Sequence, residues 1–381
     1  MNRRRFLITA AATGAIAAGQ NRTSTAPATS VLTPPELMDI TRVPGYAMVG
    51  VRDGKPVAEF AGHRAAPAAN TAQEPVNAET YFPAASLTKV VFVWAVRDLV
   101  REGKLEWHKP LQEYLPLGLE GDAAKITAQH VISHSTGLTN WRFEPNAALA
   151  TSFVPGTRFS YSGEGFFLLQ RVVEHIAGDS VASHMKKKTL PAVGITSGSL
   201  AWSPALLTNG ALGHNRQGDT MVRSLVFYER NNEEAMRAAG LDPLTAKTTE
   251  IVDAYKKANR QTNPVMLSPN VAGSMWVKPV EFANFLRRVL ADATKSPAEY
   301  AAVVPMNGKL SWGRGWAVDH TFPGSALWVY GDGPGYKNFA LVHPASKTAL
   351  AIFTNGDRGA NLYSGILRQK LGRDAAAFYW I

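Results

Sequence analysis

Tyr81-Phe82-Pro83-Ala84-Ala85-Ser86-Leu87-Thr88-Lys89-Val90-Val91-Phe92-Val93-Trp94-Ala95-Val96 is the stretch on which the reading of this chain turns. Its first five residues read as a short strand and a tight turn. After Lys89 the residues are apolar on every face, the pattern of a helix through the middle of a core. A serine opening such a helix sits at the positive end of the helix dipole, beside free N–H groups that favour developing negative charge. A lysine three positions later is rotated by roughly 60° and lies about 4.5 Å further along the axis. Ser86 and Lys89 therefore share a face, close enough for the amine to help remove the hydroxyl proton. That is the arrangement of a serine nucleophile with a lysine base.

The spacing alone carries little, because two common residues three apart occur about once by chance in a chain of this size. Ser183-His184-Met185-Lys186 repeats it. That second pair runs into Lys187 and Lys188 and reads as a solvated helix end. The apolar context selects Ser86 and Lys89.

Outward from this helix, Tyr46 to Val51 and Pro56 to Ala61 read as strands joined by an Asp53-Gly54 hairpin turn. The helix ends near Gly103, a C-cap residue. Pro110 to Pro116 reads as a short helix, and Thr127 to His134 as another, closed by Gly137. A periodic helix runs from Glu164 to about Ala177. Residues 215–265 are polar and charged, with helical stretches, and read as a surface excursion. Lys278-Pro279-Val280-Glu281 opens a further helix with proline in its first turn. Apolar segments follow at Gly313 to Val318, Ala326 to Tyr330, Asn338 to His343 and Thr348 to Phe353, then a helix at about Ala360 to Leu371. Short loops between successive strands imply antiparallel pairing. The expected fold is α+β: one antiparallel β-sheet built from both ends of the chain, flanked by helices, with a mostly helical lobe inserted.

The chain has 381 residues, enough for a sizeable core. It has no cysteine, which rules out disulfides, thiol nucleophiles and cysteine metal ligands. Residues 1–20, with Arg3-Arg4-Arg5, a short Ala-rich stretch and Ala15-Ile16-Ala17, read as a twin-arginine export leader. Residues 21–32 read as a flexible lead-in and 33–381 as one catalytic domain. Within it, 33–105 and 268–381 form the α/β part and 106–267 the helical lobe. The formal net charge is +10, scattered, with no aromatic-interleaved basic stripe. The expectation is an exported, periplasmic or extracellular protein with no nucleic-acid partner and no membrane segment once the leader is removed. The nine histidines show no metal-ligand spacing, so neither a metal nor another cofactor is expected.

Two later sites join Ser86 and Lys89: Tyr161-Ser162-Gly163, before the periodic helix, and Gly331-Asp332-Gly333-Pro334-Gly335, at the end of a late strand. Together with Val43-Pro44-Gly45, Gly103-Lys104-Leu105, Ser133-His134-Ser135-Thr136-Gly137-Leu138 and Thr354-Asn355-Gly356, their order and spacing resemble the serine β-lactamase and penicillin-binding superfamily. The resemblance is to its class C-like branch, which also holds esterases and D-stereospecific peptidases. It implies that Ser86 is acylated, that Lys89 helps deprotonate it, and that Tyr161 acts with Lys89 as base and as proton donor to the leaving group. It also implies an oxyanion hole from the N–H groups of Ser86 and Gly335.

The chain departs from the family pattern twice. Gly163 stands where an Asn or Asp is usual, and Asp332 where a cation is usual, with Pro334 at the usual glycine. A cation there would hold a substrate carboxylate, and an aspartate repels one. Gly163, Asp332, Gly333, Trp141 and Trp312 are the candidate substrate-binding residues, and Phe143 a further acyl-pocket candidate. His134 reads as a structural histidine under the tyrosine loop, and Lys347-Thr348-Ala349 as a hairpin. The expected function is an esterase or amidase acting through an acyl-enzyme on a small, non-anionic ester, amide or peptide. The alternatives are a D-amino-acid peptidase with Asp332 facing an ammonium, a β-lactamase, an acyltransferase, or a non-catalytic β-lactam binder.

Overall fold

A computed structural model of the chain describes residues 31–65, 74–144, 147–221 and 225–381. The leader read in residues 1–20, and most of the lead-in, lie outside the described residues. No described helix is long and apolar enough to cross a membrane.

Strands from both ends of the chain make one antiparallel sheet, and its long inner strands are near-continuous apolar runs because both faces are covered. The strands are β1 (Gly45–Arg52), β2 (Lys55–Gly62), β5 (Val304–Pro305), β6 (Leu310–Trp312), β7 (Ala317–Asp319), β8 (Ala326–Gly333), β9 (Tyr336–His343) and β10 (Thr348–Thr354). Their order is β2-β1-β10-β9-β8-β7-β6-β5. The contact that closes the two ends is β1 against β10, with Tyr46 opposite Thr354 and Val51 opposite Ala349. A separate two-stranded ribbon pairs β3 (Phe82–Pro83) with β4 (Trp276–Val277).

The sheet's two faces sort by residue parity. Ala47, Val49, Leu327, Val329, Ala340, Ala349 and Ala351 face a core that also holds helices α2 (Leu87–Arg101) and α7 (Pro279–Lys295). Tyr46, Met48, Trp328, Phe339, Leu341 and Ile352 face a second core, capped by α1 (Pro34–Thr41) and α8 (Gly359–Leu371). Between α2 and α7 the chain forms α3 (Ala128–Ile132), α4 (Gly163–Ala177), α5 (Leu225–Ala238) and α6 (Thr248–Lys257), among shorter turns.

Three expectations change. The segment from Gly313 to Val318 is not one strand: Gly313 donates to the Trp316 carbonyl at 2.7 Å, and Gly315, at φ +87°, donates to Ile132, so the Gly-Arg-Gly run turns the chain between β6 and β7. The helix read at Pro110 to Pro116 is a single 3₁₀ turn, Leu111–Glu113. Residues 215–265 are more than a surface excursion, since Met236, Ile251 and Tyr255 bury a small apolar cluster against Phe167 and Leu267.

Candidate active site

The nucleophile turn is built by a strained residue and a polar clasp. Ala85 has φ +47°, a left-handed conformation that costs a residue with a Cβ about 1–2 kcal/mol. What holds it is a set of hydrogen bonds. Ala84 N–H donates to Met275 O at 2.7 Å, and Thr88 Oγ1 donates to Ala85 O at 2.6 Å. Asn338 Nδ2 donates to Pro83 O at 2.9 Å, while Asn338 Oδ1 accepts from Thr354 N–H at 3.2 Å. The buried amide of Asn338 thus pins the turn to β9 and β10.

Ser86 is the N-cap residue of α2, yet its hydroxyl makes no capping hydrogen bond. It accepts instead from Lys89 Nζ at 2.9 Å. Lys89 is only 4 % exposed and donates also to the Ala272 carbonyl at 2.6 Å. Its ammonium lies 5.1 Å from the centre of the Tyr161 ring and 5.6 Å from that of Phe166. No carboxylate forms an ion pair with it among the described residues. Burial lowers its pKa to about 7, so a free amine is present near neutral pH.

Tyr161 is pushed the other way. Burial raises its pKa, helped by Tyr330 and Asp332 and opposed by its hydrogen bond with Ser86. The phenol therefore keeps its proton. His134 stacks on it, with ring centres 4.0 Å apart and planes at 22°. His134 Nδ1 accepts from Ser162 N–H at 3.1 Å, which leaves any ring proton of the neutral form on Nε2. Burial, and next the Lys89 charge, hold its pKa well below the ordinary value. His134 is a neutral platform under the tyrosine.

Trp141 lies against Gly163. A Cβ on Gly163 would stand 2.2 Å from the Trp141 ring, so the missing side chain makes room for the indole. Gly163 N–H donates to Asn140 Oδ1 at 2.9 Å. Gly163 is buried behind Trp141 and does not line the cavity, contrary to its expected role. Trp312 is corrected likewise. It is 3 % exposed and packs edge-on to His134, in the aromatic stack behind Tyr161.

The β8–β9 hairpin brings the third segment to the site. Pro334-Gly335, with Gly335 at φ +80°, fits a type II turn. The Gly335 N–H donates to Asp357 Oδ1 at 2.7 Å, so it is already occupied and does not face Ser86. This removes Gly335 from the expected oxyanion hole. A two-residue loop makes its flanking pair, Gly333 and Tyr336, a hydrogen-bonded one. Along β8 the amides of Gly331 and Gly333 then point to β9 and that of Asp332 to the opposite edge. Strand β7 covers that edge only as far as Trp328. Close approach to the nucleophile turn is enforced at Gly331, where a Cβ would meet Ala84 O at 2.6 Å. The Asp332 carboxylate is bonded to Lys337 Nζ, and Lys337 lies 3.8 Å from Asp357.

These segments enclose a cavity of about 530 Å³. Ser86, Lys89, Tyr161, Asn140, Trp141, Tyr330, Asp332, Gly333, Asn270 and Met266 are among its walls. Phe143 is 83 % exposed and stands outside it. The second Ser-Lys pair is dismantled: Ser183 Oγ donates to Asp179 at 2.7 Å, and Lys186 binds the carbonyls of Thr196 and Gly198. Sequence reasoning missed the Ala272 carbonyl, a backbone group with no side-chain signal. It also missed Asn338, Lys337 and Asp357. An asparagine inside an otherwise apolar strand was the available signal for Asn338. Among the described residues no group of three His, Asp or Glu side chains converges as metal ligands would.

A family model described as β-lactamase matches residues 35–370. Penicillin-binding protein 4 of Amycolatopsis lactamdurans is 22 % identical over 317 residues, 78 % of this chain and 78 % of that protein. Esterase EstB of Burkholderia gladioli is 27 % identical over 143 residues, 29 % of this chain and 36 % of the esterase. The crystal structure of a class C β-lactamase superposes with a TM-score of 0.66 at 16 % identity, covering 88 % of this chain and 95 % of that one.

Proposed function

The chain belongs to the β-lactamase family, and from that membership we propose that it is a serine hydrolase of small, non-anionic esters or amides, acting through an acyl-enzyme on Ser86. The observation that carries this is the 2.9 Å contact between Ser86 Oγ and a buried Lys89 amine that no carboxylate pairs among the described residues.

In the proposed reaction the neutral Lys89 amine takes the Ser86 proton as Oγ bonds to the substrate carbonyl carbon. The oxyanion so formed is held by the N–H of Ser86, which has no acceptor among the described residues, and by that of Asp332, which the β8–β9 register turns away from β9. As the tetrahedral intermediate collapses, the leaving oxygen or nitrogen takes the Tyr161 phenolic proton, and Lys89 returns its proton to Tyr161. Water then attacks the acyl carbon, losing its proton to the Lys89–Tyr161 pair, which hands a proton back to Ser86 Oγ. Lys89 serves as base and Tyr161 as acid because burial moves their pKa values in opposite directions.

A fluorophosphonate should add covalently to Ser86, located by peptide mass mapping, and the protein should turn over p-nitrophenyl acetate. Labelling at Ser183, or unchanged turnover in Ser86→Ala, would end this reading. A stoichiometric, long-lived adduct without turnover would favour a non-catalytic acyl trap. A second reading rests on Asp332 lining the cavity, where its carboxylate suits a substrate ammonium. Preference for D-amino-acid amides over neutral esters would favour a D-amino-acid peptidase or amidase.

A further inference from the structure

The cavity wall beside Gly163 is apolar, tethered and continuous with an exposed apolar rim. Trp141, Val265, Met266 and Leu267 form it, and Lys89 and Asp332 are the only charged side chains among the lining residues. Val265 is 44 % exposed and Phe143, on the loop that carries Trp141, 83 % exposed. Large apolar side chains at a pocket mouth mark a binding surface better than scattered ones do.

The wall is held in place rather than left to chance. Asn263 Nδ2 donates to Phe143 O, and also to Arg142 O at 3.3 Å, joining the two loops. Asn270 Nδ2 donates to Pro264 O at 2.8 Å. Behind the wall, the Trp141 ring occupies the space that a side chain at Gly163 would need. An indole and an aliphatic loop thus stand where a polar side chain at position 163 would otherwise reach the cavity.

We propose that this wall is an acyl subsite for an unbranched alkyl chain, that Trp141 and the 265–267 loop determine preference for medium-chain over short-chain acyl esters, and that Gly163 is the residue that admits Trp141. The assignment rests on the serine-hydrolase reading above. With the carbonyl oxygen between Ser86 and β8, and the leaving oxygen at Tyr161, this wall is left for the acyl substituent.

The test uses p-nitrophenyl acetate, butyrate and octanoate, with an alkyl acetate series varying the alcohol instead. Each methylene buried on the wall should raise kcat/KM by roughly fourfold until the wall is covered. In the wild type, octanoate should exceed acetate by at least tenfold, and the alcohol series should be flatter. Trp141→Ala and Val265→Asp should each reduce the octanoate-to-acetate ratio severalfold. Gly163→Ala, by displacing the indole, should do the same. Fluorophosphonate labelling of Ser86 reports whether each variant keeps a folded site. If a variant fails to label, the wild type still decides: octaneboronic acid should inhibit at least tenfold more strongly than methaneboronic acid. A flat acyl series, an alcohol series steeper than the acyl one, or equal inhibition by the two boronic acids would overturn the subsite while Ser86 labelling and acetate turnover stand. Loss of labelling and turnover in the wild type would instead overturn the hydrolase reading.

Discussion

Lys89 gives up most of the solvation of an ammonium ion, being 4 % exposed and, among the described residues, hydrogen-bonded to Ser86 and Ala272. Burial is the cause of its lowered pKa, about 7 in the folded protein. If the neutral amine is the base, kcat/KM for a neutral ester should rise with pH up to about 7 and level off above it. Lys89→Ala should remove that rise and lower the acylation rate by about 10²–10⁴-fold. The same burial links to stability with a definite sign. Between about 7 and the unfolded lysine value, the unfolded chain holds a proton that the folded chain lacks, so Lys89 makes stability increase with pH across that window. Urea titrations of wild type and Lys89→Met at pH 7 and pH 9.5, near the upper end of that window, should show the wild type gaining relative to the variant at the higher pH. A difference that is constant, or that moves the other way, would mean the folded-state pKa is not depressed.

Strand β9 and helix α2 are coupled through one side chain, and this coupling explains both the site's precision and what stayed hidden in the sequence. Asn338 bonds Pro83 and Ala84 in the turn before α2 and Thr354 at the end of β10, joining both segments to β9. Asn338→Ala should leave buried groups unpaired, at about 1–3 kcal/mol in stability. It should also lower kcat more than it raises KM, because it loosens the Ala85 turn rather than the apolar wall. Asn338→Asp, which keeps an acceptor for Thr354 N–H but not the donors to Pro83 and Ala84, should not restore kcat. Equal kcat in wild type and Asn338→Ala, with lowered stability, would make Asn338 purely structural. The long strands β1, β2, β8, β9 and β10, their antiparallel pairing and α2 were legible because apolar runs bounded by turn residues are local. That Ser86, Lys89 and Tyr161 line one cavity was legible because Ser86 opens α2, Lys89 follows one turn on in an apolar helix, and Tyr161 stands just before α4. Gly335 was misplaced because spacing along a strand end does not reveal which way an amide points, and a carboxylate 22 residues on takes it. Trp312 was misplaced because a tryptophan beside a glycine turn reads the same whether it faces a cavity or a core.

Because β1 and β10 join the two ends of the chain, the site is assembled from residues near positions 86, 161, 272 and 332, and its charge depends on groups far apart in sequence. The formal net charge of +10 favours anions at long range, whereas the charge lining the cavity mouth is the Asp332 carboxylate. From sequence, Asp332 is expected to repel a substrate carboxylate. The structure pairs it with Lys337, which also approaches Asp357, so most of its field is cancelled locally. With Asp332 57 % exposed, solvent screens the remainder. Asp332→Asn should therefore change the ratio of kcat/KM for matched neutral and anionic esters by less than about tenfold, the factor that 1.4 kcal/mol represents. Lys337→Met should have the larger effect, because it leaves Asp332 and Asp357 uncompensated and should strengthen the preference for neutral over anionic esters. That strengthening should shrink on raising salt from about 0.01 M to 1 M, where the screening length falls from about 30 Å to 3 Å. A neutral-to-anionic ratio that is the same in wild type, Asp332→Asn and Lys337→Met at low salt would show that this hairpin does not face the reacting ester. A larger effect from Asp332→Asn than from Lys337→Met would show that the pair is open in solution and that the carboxylate acts alone.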